Sequence, residues 1–365
     1  MIPSDAVDRL RLIRTDSIGP VTYRQLLGRF GTAGAALAAL PDLARRGGRA
    51  LSIASVSAAE AELEALEKAG ALPLFIGTPA YPHLLAPLES APPVLAARGD
   101  LALLERPAVA IVGARNASAA GVRFARQLAA DLADAELVVV SGLARGIDAA
   151  AHQGAMTGGT IAVVAGGVDV VYPPENAALM AEIAEKGLIL AEQPPGVEPQ
   201  ARHFPRRNRI IAGVAAGTLV VEGAPKSGSL ITARLAAEAG REVMAIPGSP
   251  LDPRAQGCNL LIREGATLVQ SAADVLEALS AFGEGPQLGL RFQAAESAEA
   301  YADVAAEAGE SERSAVVALL SPTPVAVDEL VRLSALPTAV VSSVLLDLEL
   351  EGALARHAGG RVAAA

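Results

Sequence analysis

Seven short runs of apolar, often β-branched residues between 108 and 270 constrain the fold of this chain more than any other feature. Alanine-rich segments with helical periodicity separate them. Strands that are apolar at successive positions are buried on both faces, which indicates a parallel sheet with helices on each side. We therefore predict an α/β fold with a doubly wound, Rossmann-like parallel sheet. The runs are AVAIVGA (108–114), LVVVSG (137–142), TIAVVAGG (160–167), GLILAE (187–192), GTLVVEGA (217–224), REVMAIPG (241–248) and ATLVQ (266–270).

The flanking segments predict two smaller domains. Residues 1–70 show helical periodicity, and Gly19-Pro20 separates two helices because proline is tolerated in a first turn. This pattern predicts a small helical bundle that resembles a sterile-alpha-motif or helix-hairpin-helix domain. The Rossmann-like domain is assigned to 71–282 and a linker to 283–311. Residues 312–365 have three helical stretches and then a Gly-Gly turn between short β-like pieces, which predicts a winged-helix-like domain.

The third helix of this C-terminal domain is acidic. Its sequence, TAVVSSVLLDLELEG, contains Asp347, Glu349 and Glu351 and no lysine or arginine. A helix that reads a DNA groove needs cations to anchor it to phosphates. We therefore expect this helix to contact protein rather than duplex DNA.

The bulk composition excludes several classes of protein. The single Cys258 cannot form an internal disulfide, and the four histidines are scattered without metal-ligand spacing, so no metal site is expected. No apolar run reaches the roughly 18 residues that span a bilayer. The first residues also lack a basic leader followed by an apolar stretch. We expect a cytoplasmic protein that does not bind membranes.

Glycine-rich loops follow four of the predicted strands and open the next helices. In a doubly wound sheet such loops meet at the carboxyl edge, where helix N-termini attract anions. Glycine lets the backbone approach a ligand, and Ser118, Ser229 and Asp148 are candidate helix caps or acceptor groups. The loops are GARNAS (113–118), SGLARGID (141–148), GGVDVVYPPEN (166–176) and EGAPKSGS (222–229).

Known nucleotide-binding motifs do not match these loops. GARNAS lacks the third glycine of a dinucleotide fingerprint, and the next strand ends at Ser141 where an acid that binds ribose is expected. GAPKSGS does not form a Walker A loop. No Ser-His-Asp or paired-carboxylate arrangement emerges either. No cofactor is therefore expected.

The stretch FPRRNRIIAG (204–213) places arginines at the predicted start of a helix, although the chain has a formal net charge of −10. Cations are unfavourable there because they meet the positive end of the helix dipole. Either an internal acid, Glu192, Glu198 or Glu222, neutralises them, or an external phosphate does. We favour the phosphate because six cations converge on the same rim: Arg115, Arg145, Arg206, Arg207, Arg209 and Lys226.

Other candidates have two readings. Phe204 could stack on a nucleic-acid base beside the arginines, or it could be a core anchor. Tyr172 shapes the turn before Pro173 and could also stack on a base. Asp148 is more readily a helix cap than a catalyst, and His152 fits a packed helix position.

Seven ordered motifs within 105–280 resemble the DNA-processing protein A (DprA, or Smf) family. They are IVGARNAS (111–118), SGLARGIDAAAH (141–152), TIAVVAGGVDVVYPPEN (160–176), FPRRNRIIAG (204–213), EGAPKSGSLITA (222–233), AIPGSP (245–250) and GCNLLIREGA (257–266). The resemblance implies a protein without enzymatic activity that binds single-stranded DNA during natural transformation, protects it and loads RecA. It also implies a homodimer formed through the Rossmann-like domain. Where some relatives have a lysine after the Tyr-Pro pair, this chain has Pro174 and Glu175, which leaves the extent of the basic groove open.

The resemblance also suggests which side chains bind nucleic acid. Arg115 and the RRNR arginines are expected to contact phosphates, with Arg145 and Lys226 as weaker candidates. The full predicted set is Gly113, Arg115, Ser118, Ser141, Arg145, Phe204, Arg206, Arg207, Asn208, Arg209, Lys226 and Ser229. The alternative hypothesis is a nucleotide-processing enzyme of the lysine-decarboxylase-like, phosphoribohydrolase fold group. EGAPKSGSLITA lacks the paired glycines and the glutamate of that group's last loop.

Overall fold

The computed structural model describes residues 3–46, 52–283, 309–357 and 359–365. The chain divides into two compact units. One takes its residues from Glu62–Phe292, and the other from both Pro3–Ala61 and Gln293–Ala365. The two flanking domains that the sequence predicts as separate therefore share one unit. The predicted linker, 283–311, lies almost wholly outside the described residues.

The N-terminal region is helical, as predicted. Gly19 precedes the second helix, with Pro20 as its first residue, and Leu10, Tyr23, Leu26 and Leu40 are fully buried. The helices are α1 (Ala6–Arg14), α2 (Pro20–Phe30), α3 (Ala33–Arg46) and α4 (Val56–Lys68), the last of which crosses the boundary between the units.

A nine-stranded sheet forms the centre of the second unit, in the order β1-β2-β6-β5-β4-β3-β7-β8-β9. The strands from β6 to β9 in that order are parallel, and β2 runs antiparallel to both of its neighbours. The strands are β1 (Leu72–Phe75), β2 (Val94–Gly99), β3 (Ala108–Gly113), β4 (Val138–Ser141), β5 (Thr160–Val164), β6 (Leu188–Ala191), β7 (Gly217–Val221), β8 (Glu242–Ala245) and β9 (Thr267–Leu268).

Helices cover both faces of this sheet, so the predicted doubly wound fold is confirmed. One face packs against Leu128, Ile147 and Val275, and the other against Ile210 and Ile211. The helices are α5 (Ala119–Asp134), α6 (Ile147–Gly154), α7 (Ala177–Lys186), α8 (His203–Val214), α9 (Gly228–Glu238), α10 (Gln256–Arg263) and α11 (Ala272–Gly283), with short 3₁₀ helices at Leu101–Glu105 and Pro174–Asn176.

All seven predicted strands are present, whereas the pattern missed β1 and β2. The β1 strand, LPLF, contains Pro73, which discourages a strand assignment but is tolerated on the edge that β1 occupies. Along the sheet, β4, β5 and β6 lie on one side of β3, and β7, β8 and β9 lie on the other. Strand order reverses at β3, and ligands of open α/β sheets bind beyond the strand ends at such a point.

The C-terminal region is a winged helix, as predicted. It comprises α12 (Glu310–Leu319), β10 (Val325–Ala326), α13 (Val327–Ser334), α14 (Thr338–Leu350), β11 (Leu354–His357) and β12 (Arg361–Ala364), with its strands in the order β10-β12-β11. Within the described ranges no single helix is long and apolar enough to cross a membrane. The α13–α14 pair, bent by 119°, meets the length and composition criteria only jointly.

The acidic helix α14 is buried on two faces within its own unit. Val341 and Leu345 face the winged-helix core, and Val340 and Leu346, on the other side of the helix, are also buried. Asp347 accepts a hydrogen bond of 2.7 Å from Nη1 of Arg29, at the end of α2. This contact lies within the chain, and the contact with another protein that the sequence predicts for this helix stays a prediction.

Candidate functional site

The loops after β3, β4 and β5 meet the N-terminal part of α8 at a small open cleft. The sheet explains this meeting, since parallel strands bring their carboxyl ends to one edge. The cleft is lined by Arg115, Gly142, Leu143, Ala144, Arg145, Val164, Ala165, Tyr172, Pro173, Phe204 and Arg207.

Two arginine-bearing turns pack directly against each other at this edge. Gly146 has a φ of 76°, and a Cβ atom there would lie 2.3 Å from the carbonyl oxygen of Ala114 and 2.8 Å from that of Arg115. Only glycine fits such a close approach. The Ile147 N–H also donates to the Ala114 oxygen at 3.2 Å. The backbones carrying Arg115 and Arg145 are thereby held side by side.

Helix α8 begins at His203, one turn earlier than the arginine pattern suggests. Arg206 therefore ends the first turn, and Arg207 and Arg209 lie in the second. The helix dipole acts mainly within the first turn, so it disfavours the charges of Arg207 and Arg209 less than the sequence predicts. Each arginine of α8 also has different surroundings.

Arg207 forms part of the floor of the cleft and is only 6% exposed. Its Nη1 donates to the Val163 carbonyl oxygen at 2.8 Å, and its buried Nε has no hydrogen-bond partner. Burial lowers the pKa of this guanidinium and raises that of the buried Asp148 carboxyl nearby, although each group favours the charged form of the other. Arg207 is thus a buried cation with unused donor capacity.

Gly142 makes room for this arginine. A Cβ atom at position 142 would lie 1.8 Å from Nη1 of Arg207 and 2.8 Å from Oδ2 of Asp148. Any side chain there would displace the guanidinium from its place under the cleft.

Arg209 does not belong to the cleft. Its Nη2 is bonded to Oε1 of Glu192, its Nη1 is bonded to the Ser90 carbonyl oxygen, and its side chain is 13% exposed. For this residue, neutralisation by an internal acid was the right alternative. Arg209 thus has a structural role in this fold, and its predicted contact with phosphate stays a prediction.

Phe204 and Tyr172 form an aromatic wall beside the arginines. Their ring centroids are 5.7 Å apart with the planes at 56°, and the Arg115 guanidinium lies 5.2 Å from the Phe204 centroid. Phe204 is partly exposed and lines the cleft. The core-anchor reading of Phe204 is therefore wrong.

The remaining cations are exposed. Nη1 of Arg145 lies 3.5 Å from Oε1 of Glu175, with both side chains more than half exposed. Arg206 and Lys226 are also exposed but are not among the residues that line the cleft. Of the six cations expected to converge, three line the cleft: Arg115, Arg145 and Arg207.

The Glu222 carboxylate already lies at the N-terminal end of α5, where it binds Ser118. Oγ of Ser118 accepts a 2.9 Å hydrogen bond from the Gly121 N–H and donates to Oε1 of Glu222. The Ser118 N–H donates to Oε2 of Glu222 at 2.8 Å. The anion predicted for this helix N-terminus is thus a side chain of the protein itself.

Four other predicted ligand residues are internal to the framework. Oγ of Ser141, fully buried, donates to the Ile111 carbonyl oxygen at 2.6 Å, and the buried Ser229 hydroxyl lies 2.8 Å from that of Ser227. Nδ2 of Asn208 donates to the Gly228 carbonyl oxygen at 3.3 Å. Gly113 packs against β7, where a Cβ atom would lie 2.0 Å from the Val221 oxygen. These positions shape the loops and do not line the cleft.

The sequence-based set omitted several cleft residues, among them Gly142, Leu143 and Tyr172. Gly142 directly follows a buried strand, which is a signal for close backbone approach. Leu143 gave no signal, because its left-handed backbone is set by tertiary contacts. In the described ranges, no group of three or more His, Cys, Asp or Glu residues could hold a metal ion.

Three family descriptions match consecutive parts of this chain. Residues 73–280 match DNA recombination-mediator protein A, 3–65 match the DprA-like N-terminal HHH domain, and 300–360 match the DprA winged helix domain. Of the two bundle types that the sequence suggests, the match is thus to the helix-hairpin-helix type.

Curated relatives agree with these matches. The DNA processing protein DprA of Streptococcus pneumoniae is 49% identical over 198 residues, which cover 54% of this chain and 70% of the relative. Protein Smf of a Synechocystis species is 38% identical over 309 residues, or 78% of this chain and 77% of the relative.

Two solved structures are also similar. The crystal structure of S. pneumoniae DprA has a TM-score of 0.57 at 37% identity and covers 71% of this chain and 98% of its own. DprA of Helicobacter pylori, described in terms of its single-stranded DNA binding mode, has a TM-score of 0.52 at 30% identity. The match covers 55% of this chain and 93% of the H. pylori chain.

Proposed function

This chain belongs to the DNA recombination-mediator protein A family, and from that premise we propose that its cleft binds the backbone of single-stranded DNA. The solved H. pylori relative is described by its single-stranded DNA binding mode. The cleft described above offers the chemistry that such a ligand requires.

The observation that carries this proposal is the state of Arg207. Its nearly buried guanidinium has one hydrogen bond and an unpartnered Nε. The nearby Asp148 carboxyl offsets only part of the cost of burying this charge, so an anion in the cleft would complete its contacts. Arg115 and Arg145 line the same cleft, and no carboxylate is among its described lining residues. A phosphate seated between these three arginines supplies the missing acceptors.

The aromatic wall supports a single strand over a duplex. Unstacked bases can lie on Phe204 or Tyr172, and such stacking tolerates any sequence because every base has a π-face. In a duplex the faces of the bases are already covered by their stacked neighbours, so they cannot lie on an aromatic ring. The site therefore favours flexible strands with little sequence preference.

The test is a titration of labelled single-stranded and duplex oligonucleotides over a salt series. We expect tighter binding of the single strand, and a steep loss of affinity with salt as counterions are displaced. The double variant Arg115→Glu/Arg145→Glu should weaken binding about 100-fold, because it reverses two exposed charges that line the cleft. Equal affinity of the double variant and the wild type would refute the proposal.

A matched control is Lys186→Glu. Lys186 ends α7 just before β6, at the opposite edge of the sheet, and its side chain is 57% exposed. Like each substitution of the double variant, Lys186→Glu replaces one positive charge with one negative charge. We expect it to alter affinity less than threefold.

We further propose that the protein protects incoming DNA and loads RecA during natural transformation, without enzymatic activity. RecA-promoted strand exchange on DNA coated with single-strand-binding protein tests loading. The alternative, a phosphoribohydrolase, predicts release of free base from nucleoside monophosphates, and detecting that release would favour it.

A homodimer formed through the Rossmann-like domain belongs to the same proposal. Apolar side chains are exposed near the β8–β9 end of the sheet: Ile231 at 39%, Leu268 at 45% and Leu251 at 92%. Light scattering of the wild type and of Leu251→Asp tests this, with a dimer expected only for the wild type. A monomeric wild type would refute it.

A further inference from the structure

One wall of the cleft is a short stretch of strained backbone. Leu143 follows β4 and has a φ of 53°, in the left-handed region that non-glycine residues rarely adopt. Such a conformation is strained and persists only where surrounding contacts fix it. The side chain of Leu143 is 1% exposed and packs in a core cluster.

Three buried side chains bind the backbone polar groups of Leu143 and Ala144. The Leu143 N–H donates to Nε2 of His152 at 3.3 Å, and the Ala144 N–H donates to Oδ2 of Asp148 at 3.4 Å. Nδ2 of Asn176 donates to the carbonyl oxygens of both residues, at 2.9 and 3.2 Å. Side chains of α6 and of the 3₁₀ helix at Pro174–Asn176 thus bind the backbone of a segment that lies outside any helix or strand.

The ring of His152 is fixed in one tautomer. Oγ1 of Thr160 donates to the Val139 carbonyl oxygen at 2.9 Å, so toward Nδ1 of His152, 2.7 Å away, it can only accept. Nδ1 therefore carries the proton, and Nε2 is left as an acceptor for the Leu143 N–H. Burial, and then the charge of Arg207, lower the pKa of His152 to about 3, so the ring stays neutral at ordinary pH.

These contacts extend to the charged part of the cleft. Arg145 directly follows Ala144 and lines the cleft beside Arg207. The backbone at 143–144 determines where the Arg145 side chain starts. It also keeps Gly142 against the Arg207 guanidinium.

We propose that His152 and Asn176 are positioning residues that hold the Leu143–Ala144 backbone in its strained form, so that Arg145 reaches a phosphate in a preformed cleft. This inference rests on the proposed function for its ligand. Neither residue touches the ligand, and both act through the backbone that they bind. A preformed site binds more tightly because less ordering is required when the strand arrives.

Paired substitutions separate this role from simple packing. His152→Gln keeps an acceptor for the Leu143 N–H, whereas His152→Leu removes it at similar volume. Asn176→Asp keeps the shape but turns a carboxylate toward two carbonyl oxygens. The affinity for a single-stranded oligonucleotide and the slope of log K against log salt are measured for each variant and for Arg145→Ala.

We expect His152→Leu and Asn176→Asp to weaken binding about tenfold, and His152→Gln less than threefold. If Arg145 loses its phosphate, the salt slope should fall by about 0.7, as expected for one contact to a single strand. Adding Arg145→Ala to Asn176→Asp should then cost less than a further twofold. An unchanged salt slope with additive losses would show a purely structural role and overturn the proposal.

Amide hydrogen exchange in the free protein provides a readout that does not depend on DNA. The Leu143 amide should exchange slowly in the wild type and in His152→Gln, and at least 100-fold faster in His152→Leu. Fast exchange in the wild type would overturn the inference even if DNA binds. A wild type that fails to bind any oligonucleotide, but protects this amide, would refute the proposed function and leave the fixed backbone established.

Discussion

Two helices with opposite charge, α8 and α14, show how differently a run of charged residues can be used. Each acid of α14 and of its C-cap is bound by an arginine of its own unit: Asp347 by Arg29, Glu349 by Arg356 and the C-cap Glu351 by Arg313. Of the three arginines in RRNR, in contrast, only Arg209 forms a salt bridge within the described residues, and Arg207 interacts with the nearby Asp148 carboxyl without forming one. The acidic helix is neutralised internally, whereas the basic helix keeps cations available.

The difference teaches that local charge in a sequence is not free charge. From sequence, both helices are candidate binding surfaces, and both lie in a chain with a net charge of −10. A long-range partner within the chain, such as Arg29 for Asp347, changes one of them into a structural element. Glu192 binds Arg209, whereas Arg206 and Arg207 form no salt bridge within the described residues.

The largest expected effect contrasts Arg207 with Arg209 within α8. Arg207→Met should weaken single-strand binding about 100-fold and cost about 1–3 kcal/mol of unfolding free energy, because the buried Asp148 carboxyl loses the neighbouring positive charge. Arg209→Met should leave affinity within threefold but cost about 1–3 kcal/mol, because Glu192 loses its partner. Oligonucleotide titration and urea unfolding measure both quantities. The opposite pattern would contradict the division of roles within α8.

A smaller effect is expected for the acidic helix. Arg29→Ala, Asp347→Ala and the double variant form a cycle that measures the coupling across the 2.7 Å contact between α2 and α14. Because the two side chains are 17% and 24% exposed, we expect about 1 kcal/mol of coupling in urea unfolding. Single-strand affinity should be unchanged in all three variants. A coupling energy of zero would mean that Arg29 does not neutralise Asp347, so that this carboxylate would remain available to a binding partner.

The smallest effect concerns the exposed pair of Arg145 and Glu175. Glu175→Gln removes a carboxylate that competes with phosphate for Arg145, 3.5 Å away. Exposed pairs contribute little, so we expect single-strand affinity to rise only about two- to threefold at low salt and to converge with the wild type at high salt. Ser57→Gln, at an exposed position of α4, is a neutral control. Weaker binding by Glu175→Gln would show that Glu175 supports the cleft instead of screening it.

Several residues of the cleft could be predicted from the sequence. Arg115, Arg145, Phe204 and Arg207 were predicted from loops after strands, and they meet because parallel strands end at one edge. Ser118 and Arg209 were predicted in the same set but do not line the cleft, and Glu222 and Glu192 bind them from distant parts of the sequence. A local pattern cannot show which of several nearby acids will fold against a given cation.

The sequence by itself determined the doubly wound sheet, the helical and winged-helix flanks and the family, because apolar periodicity and ordered motifs are local properties of the chain. Only the tertiary structure decided which charges remain unpaired and which backbone is strained. Pairing of Asp347 with Arg29, burial of Arg207 beneath Gly142 and the left-handed Leu143 all depend on contacts between residues far apart in sequence. Those contacts exist only once the chain is packed.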